Sequence, residues 1–171
     1  MTSTMLVVDP GKKDAGVAFF VAGRLVEVAL IVPPTPTPYE VARYVEMWVR
    51  RCMYNHAGDG GRVGLVLCED QQVYGRSRGN PNDLLPLAQT VGGVLARVDA
   101  FDRQLVLPRI WTGGVPKPVR QRRLLAGLQP AELALIKAIK PASKAHNVID
   151  AVHIGLWHLD RVRTVDPDLA Q

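Results

Sequence analysis

Three acidic residues stand where acids are costly. Asp9 ends the apolar run MLVVDPG, Glu69 ends VGLVLCED, and Asp150 lies inside the apolar helical stretch AHNVIDAVHIGLWHL. Carboxylates in such settings need something positive between them. A hard divalent cation prefers oxygen donors and would set the chemistry at that point. Pro10-Gly11 lets the chain turn sharply after Asp9, and Gly16 is expected to let a neighbouring strand pass close to that acid. Side chains alternate along a strand, so Glu69 and Asp70 face opposite ways and only one can join Asp9; Glu69 is the choice and Asp70 the alternative. His146 and Asn147 precede Asp150 by four and three residues, and His153 follows by three, all on one side of a helix. Either His146 or Asn147 is a candidate for the site, whereas His153 and His158 read as packing.

Recognisable elements must position these groups. Residues 5–9 read as a buried strand stopped by a turn. Ala15–Val21 and Leu25–Ile31, joined through Ala22-Gly23-Arg24, predict a hairpin, so the chain opens with three antiparallel strands. The segment Pro33–Pro38 is a stiff connector. Tyr39, Val41, Ala42, Val45, Trp48 and Val49 recur at helical spacing and predict a helix to about Tyr54, closed by His56–Gly61. Val63–Glu69 is another buried strand and Asp70–Asp83 a loop. Asn82 or Asp83 is the expected cap of a helix to about Phe101, whose Gly92-Gly93 pair predicts a close approach to a sheet or a second chain. A short strand at Leu105–Leu107, an irregular Pro108–Pro118, and helices at about 119–127, 130–139 and 145–159 follow. Residues 160–171 are expected to fray. This order predicts one α/β domain over residues 1–171, with a central mixed sheet of about five strands, the first three antiparallel, flanked by helices. Active sites in such sheets gather at strand ends, where Asp9 and Glu69 stand.

At 171 residues and 47% hydrophobic content the chain is an ordinary globule rather than a disordered segment. Its apolar runs are too short to span a bilayer, and the N-terminus lacks the basic and apolar regions of a signal peptide, so a cytoplasmic protein with no membrane partner is expected. Cys52 and Cys68 form no CxxC or Cys/His cluster, which argues against zinc and disulfide scaffolds. The net charge of +5 is unevenly spread. Between Arg103 and Lys144 nine Lys/Arg face one acid, Glu132, giving +8 there and therefore 5 − 8 = −3 elsewhere. Segregated positive charge is the footprint of a polyanion partner, against the alternative of a merely solvated basic face.

The order DPGxxxxG, strand-terminal Glu and helical Asp-Ala resembles the RuvC-type Holliday-junction resolvases of the ribonuclease H-like superfamily, with the bacteriophage branch most similar. The resemblance spans Met5 to Leu159 and includes CEDQQVYGRSRGNPNDLLPLAQTVGGVL, WTGGVPKPVRQRRL and HNVIDA. It implies a Mg²⁺-dependent crossover-junction endodeoxyribonuclease, homodimeric and associated with DNA in a bacterial or phage-infected cell. Asp9, Glu69 and Asp150 match three of the family's metal-site residues. The fourth, usually Asp and sometimes His one turn before the last Asp, is here Asn147 with His146 beside it. Asn is a neutral oxygen ligand and no base; His could shuttle a proton.

The implied mechanism places two Mg²⁺ ions, with Mn²⁺ as the alternative, about 4 Å apart across one scissile phosphate. Lys12, Lys13, Arg76, Arg78, Lys117, Arg120, Arg122, Arg123 and Lys144 are the candidate phosphate contacts. Tyr74, just beyond Glu69, is the candidate for stacking at an opened branch point. Alternatives are a ribonuclease H-like nuclease on RNA–DNA hybrids or structured RNA, and a branched-DNA binding protein with weak or lost catalysis, which Asn147 keeps open. An actin-like kinase shares the DxG strand but needs a second domain that this length scarcely accommodates.

Overall fold

The centre of the molecule is β1 (Thr4–Pro10), a strand buried along its whole length. Five strands pair in the order β3-β2-β1-β4-β5, where β2 is Ala15–Val21, β3 Arg24–Ile31, β4 Val63–Glu69 and β5 Ala100–Val106. The first three strands are antiparallel neighbours, and β4 and β5 add in parallel. This is the mixed sheet the sequence predicts. The computed structural model describes residues 3–58, 61–71, 82 and 84–162. Tyr74, Arg76, Arg78, the alternative cap Asp83 and most of the expected tail lie outside the described residues.

Alternation along β1 divides the core. Leu6 and Val8 pack with Val41, Val45 and Trp48 of α1 (Pro38–Cys52) and with Val91 and Val94 of α2 (Leu84–Arg97). Met5 and Val7 face the opposite layer, formed by α3 (Pro108–Thr112), α4 (Lys117–Gly127), α5 (Pro130–Lys137) and α6 (Ala145–His158). Helix α1 starts where expected because Pro38 occupies its first turn and Thr37 caps it, Oγ1 accepting from the Glu40 amide at 3.3 Å. It runs into a single π-helical turn, Met53–Ala57, and stops at Gly58, whose φ of 76° suits glycine. The hairpin closes through two residues, Ala22 and Gly23, both at positive φ (49° and 75°), the geometry that matches strand twist.

Several boundaries differ from expectation. Helix α2 ends at Arg97, not Phe101, and β5 takes over from Ala100, well before Leu105. Only the first and last residues of β5 are buried; an edge strand reading FDRQL in its interior carries no apolar alternation to announce it. Residues 108–112 form a short helix, with Pro108 in its first turn, rather than irregular chain. Of the glycine pair in α2, Gly93 faces α1, where a Cβ would come within 2.9 Å of the Ala42 methyl. The close neighbour of Gly93 is therefore a helix rather than a sheet. Gly16 likewise admits a helix rather than a strand: a Cβ there would lie 2.2 Å from the backbone carbonyl group of Asn147 in α6. Cys52 and Cys68 are free and buried, and burial pushes the Cys68 thiol up to about 12. Among the described residues no helix is long and apolar enough to cross a membrane.

Candidate active site

The parallel register of β1 on β4 sets Val8 beside Cys68, so the next pair, Asp9 and Glu69, emerges side by side at the same end of the sheet. Both project to the α6 face, Asp9 with the parity of Met5 and Val7, Glu69 with that of Leu65 and Leu67. Asp70 points the other way and accepts from the Gln71 amide. Opposite the pair, α6 lies flat on β2 and β1 and brings Asp150, only 5% exposed, into the same neighbourhood.

Electrostatics binds the three acids into one group. Burial pushes the Asp9 carboxyl well above the ordinary carboxylate range, and the charge of Glu69, a hydrogen bond with Glu69 and the charge of Asp150 push the same way. Glu69 is raised too, by burial and then by Asp150, while its hydrogen bond with Asp9 holds it down. Two buried carboxyls that share a hydrogen bond titrate as a pair, and burial resists ionising both. Lys117 opposes the rise at both residues.

Helix α4 supplies the counter-charges. Lys117, Arg120 and Gln121 lie three and four residues apart, on one face. Lys117 Nζ sits 2.5 Å from Asp150 Oδ2, Gln121 Nε2 donates to Asp150 Oδ1 at 3.1 Å, and Arg120 Nη2 is 3.6 Å from Oδ1. The Arg120 guanidinium is buried over the Trp111 indole, 4.1 Å from the ring centroid. Arg120, read from sequence as a phosphate contact, is thus an internal partner of Asp150. Gln121 and Trp111 were not singled out by sequence. Their signal was available in the i, i+4 spacing of Lys117 and Gln121 and in the WTGGVPK segment.

The donor chemistry fits a hard divalent ion: buried carboxylates that repel one another are relieved when a cation sits between them. As the side chains stand, no three His, Cys, Asp or Glu among the described residues are gathered tightly enough to hold a metal ion. Asp150 is drawn instead to the cations of α4.

The two candidates for the fourth position go elsewhere. Asn147 Nδ2 donates to Asp14 Oδ1 at 3.1 Å, and Lys144 reaches the other oxygen of Asp14 at 3.3 Å. Asp14, absent from the sequence reading, so ties the β1–β2 turn to the start of α6. His146 is exposed, its Nδ1 3.1 Å from the Ser143 carbonyl oxygen. Lys12 and Lys13 are exposed in the turn after β1, and Arg122 and Arg123 on α4.

His153, one turn beyond Asp150, is 3% exposed and meets Trp111 edge-on at 5.2 Å between ring centroids. Burial, then the Arg120 charge, lowers its pKa to about 4 from an ordinary 6.5, against a smaller pull from Asp150. Above pH 6.5 it is neutral folded or unfolded and stability is unaffected. Below that the unfolded chain binds a proton that the folded one refuses, so stability falls until about pH 4. The expected loss over this window is on the order of 3 kcal/mol. Urea unfolding of wild type and His153→Phe across this range checks it: the difference between the two curves should shrink by that amount as pH rises, and parallel curves would exclude the effect.

No family model matches the chain, and no curated protein matches it. Among solved structures, T. thermophilus RuvC in complex with a Holliday junction substrate matches with a TM-score of 0.51 at 16% identity, over 95% of this chain and 97% of that one. The yeast mitochondrial Holliday junction resolvase Ydc2 matches with a TM-score of 0.55 at 16% identity, over 90% of this chain and 76% of that one. At this identity what is shared is architecture. The chain has the fold of the RuvC-type Holliday junction resolvases.

Proposed function

We propose that the chain is a structure-selective endodeoxyribonuclease that hydrolyses phosphodiester bonds in four-way and other branched DNA junctions, acting as a homodimer. One observation carries this reading: Asp9, Glu69 and Asp150, contributed by two strand ends and a helix far apart in sequence, come into one neighbourhood, where the charge of Asp150 raises both strand-end acids. Asp9, Glu69 and Asp150 would hold Mg²⁺, or Mn²⁺ in its place, which when bound supplies an activated water and neutralises charge on the departing 3′ oxygen.

The chain's own residues would do the rest. Asp9, hydrogen-bonded to Glu69 and under the field of Asp150, is the natural shared ligand. Lys117 already stands at the acids and would meet arriving phosphate oxygens. Asn147 cannot take a proton and is spent on Asp14, which leaves exposed His146 as the candidate proton carrier. Lys12, Lys13, Arg76, Arg78, Arg122 and Arg123 would track the backbone, and Tyr74 would stack at an opened branch point. Two symmetric nicks need two active sites, hence the dimer.

Nicking of a synthetic four-way junction with added Mg²⁺, in competition with a flap and an RNA–DNA hybrid, tests the reading. Paired cuts in opposed junction arms are expected. Preferential cutting of the hybrid would transfer the chain to the ribonuclease H class, and binding without nicking would make it a branched-DNA binding module. Junction affinity should fall roughly a thousandfold between about 50 and 200 mM salt. A flat salt response in a filter-binding titration would contradict a phosphate-tracking interface.

A further inference from the structure

The two cations that address Asp150 differ in how firmly they are themselves held. Arg120 is 7% exposed, and its guanidinium lies over the Trp111 indole. Lys117, in the first turn of α4, has a side chain 46% exposed. They also take different oxygens. Arg120 and Gln121 both address Asp150 Oδ1, whereas Lys117 Nζ lies 2.5 Å from Oδ2. The influence of that ammonium extends past Asp150, for its charge pulls against the raised ionisation of both Asp9 and Glu69. One lysine nitrogen therefore acts on all three acids, which come from β1, β4 and α6.

A divalent ion held by the three carboxylates needs the same oxygen lone pairs and the same negative field. An ammonium and a metal ion at one carboxylate oxygen repel each other, so one excludes the other. Withdrawal is cheap for Lys117, whose flexible four-carbon stem has solvent to swing into. Asp150 keeps its seat when that happens, because Gln121 and Arg120 hold Oδ1. We propose that Lys117 is a tethered counter-ion of the acid cluster: its ammonium competes with the divalent ion for Asp150 Oδ2 and leaves that oxygen when the ion enters. The inference rests on the nuclease reading and deepens it, since it makes metal loading depend on where one side chain of α4 stands. It also separates Lys117 from two simpler roles. A lysine that serves only to meet phosphate leaves metal affinity unchanged when removed, and one that positions Asp150 for the ion lowers it. Only a competitor raises it.

The test is a titration of the full-length protein with Mn²⁺ alone, without DNA, the free ion being read by its electron paramagnetic resonance signal. Lys117→Met, which keeps the length of the stem and removes the charge, should bind Mn²⁺ about fivefold more tightly than wild type, the upper end for a half-exposed ion pair. Arg122→Met, which removes an exposed charge from the same helix, should change the affinity by less than about twofold. Wild type is then followed directly: the ¹⁵N resonance of the Lys117 ammonium should shift and gain mobility as Mg²⁺ saturates. Equal or weaker Mn²⁺ binding by Lys117→Met overturns the proposal. So does an ammonium that does not respond to saturating Mg²⁺, whichever way the variant binds. A different pattern tests the reading beneath it: no Mn²⁺ bound by either protein, or binding that survives Asp9→Asn, overturns the metal site itself and the proposal with it.

Discussion

Asp9→Asn is expected to abolish junction cleavage, by at least about a thousandfold, and to make the metal-free protein more stable. The first effect follows if Asp9 is the shared metal ligand, since an amide brings an oxygen but no charge. The second follows from the direction of its ionisation. A carboxyl whose folded pKa is raised favours the fold below its unfolded value, near 3.8, and that contribution is lost as pH climbs towards the folded value. At neutral pH the unfolded chain ionises Asp9 freely, whereas burial and the neighbouring acids oppose that ionisation in the fold, so the native acid is a net cost. Asn is neutral in both states and removes it. We expect a gain of about 1–3 kcal/mol, on the order of 3–10 °C in Tm, without divalent ion. Added Mg²⁺ should raise the Tm of wild type and leave Asp9→Asn unmoved. Differential scanning fluorimetry at pH 7.5 with and without Mg²⁺, beside a nicking assay, reads both. A variant that cleaves normally, or is destabilised without metal, removes Asp9 from the centre of the site.

Gly16→Ala is expected to be the most damaging small substitution outside the acids. Its Cβ would lie 2.2 Å from the carbonyl carbon and oxygen of Asn147 and 2.5 Å from the Val148 amide nitrogen. All three are backbone atoms of α6, so no side chain can swing away; the helix itself must rise from β2. Overpacking of this kind costs on the order of 3 kcal/mol. Asp150 lies one turn along the lifted segment, and a displacement near 1 Å at a catalytic group costs roughly a hundredfold in rate. Gly92→Ala is the control. Among the described residues nothing lies within 4 Å of the added methyl, and alanine in mid-helix is expected to stabilise by roughly 0.5–1 kcal/mol. Guanidinium unfolding of both variants with a single-turnover nicking rate separates them; a Gly16→Ala protein as stable and active as wild type would show that α6 is not seated as described.

How much of this was legible in the residues depended on what each residue had to do locally. The strands β1, β2 and β4 announced themselves because both of their faces are buried and their sequences are nearly all apolar. Strand β5 did not, because an edge strand with Asp102, Arg103 and Gln104 exposed obeys solvent rather than a core. Asp9 and Glu69 stood out as acids ending apolar runs, and Asp150 as an acid on an apolar helix. Their partners were opaque for a different reason. Arg120 reads as a surface cation by type, and only the three-dimensional placement of Trp111 beneath it reveals a buried one. Asp14 and Gln121 are ordinary polar residues whose importance comes from α6 and α4 passing over them. Local pattern shows which groups are costly to bury; which neighbours relieve that cost is decided by long-range packing.

The two notches where α6 meets the sheet have a mechanical consequence. At one end Gly16 receives the backbone of Asn147; at the other Gly155 yields to the Phe20 ring, whose edge would lie 2.4 Å from a Cβ on that glycine. The helix is thus a beam pinned at two supports about eight residues apart, with Asp150 between them. Such a span resists both sliding and rolling, so the carboxylate should keep its coordinates even when the chain beyond α6 is altered. Any adjustment that admits a cation or a strand of DNA must then come from the unclamped partner, α4, carrying Lys117 and Arg120 away from an acid that stays put.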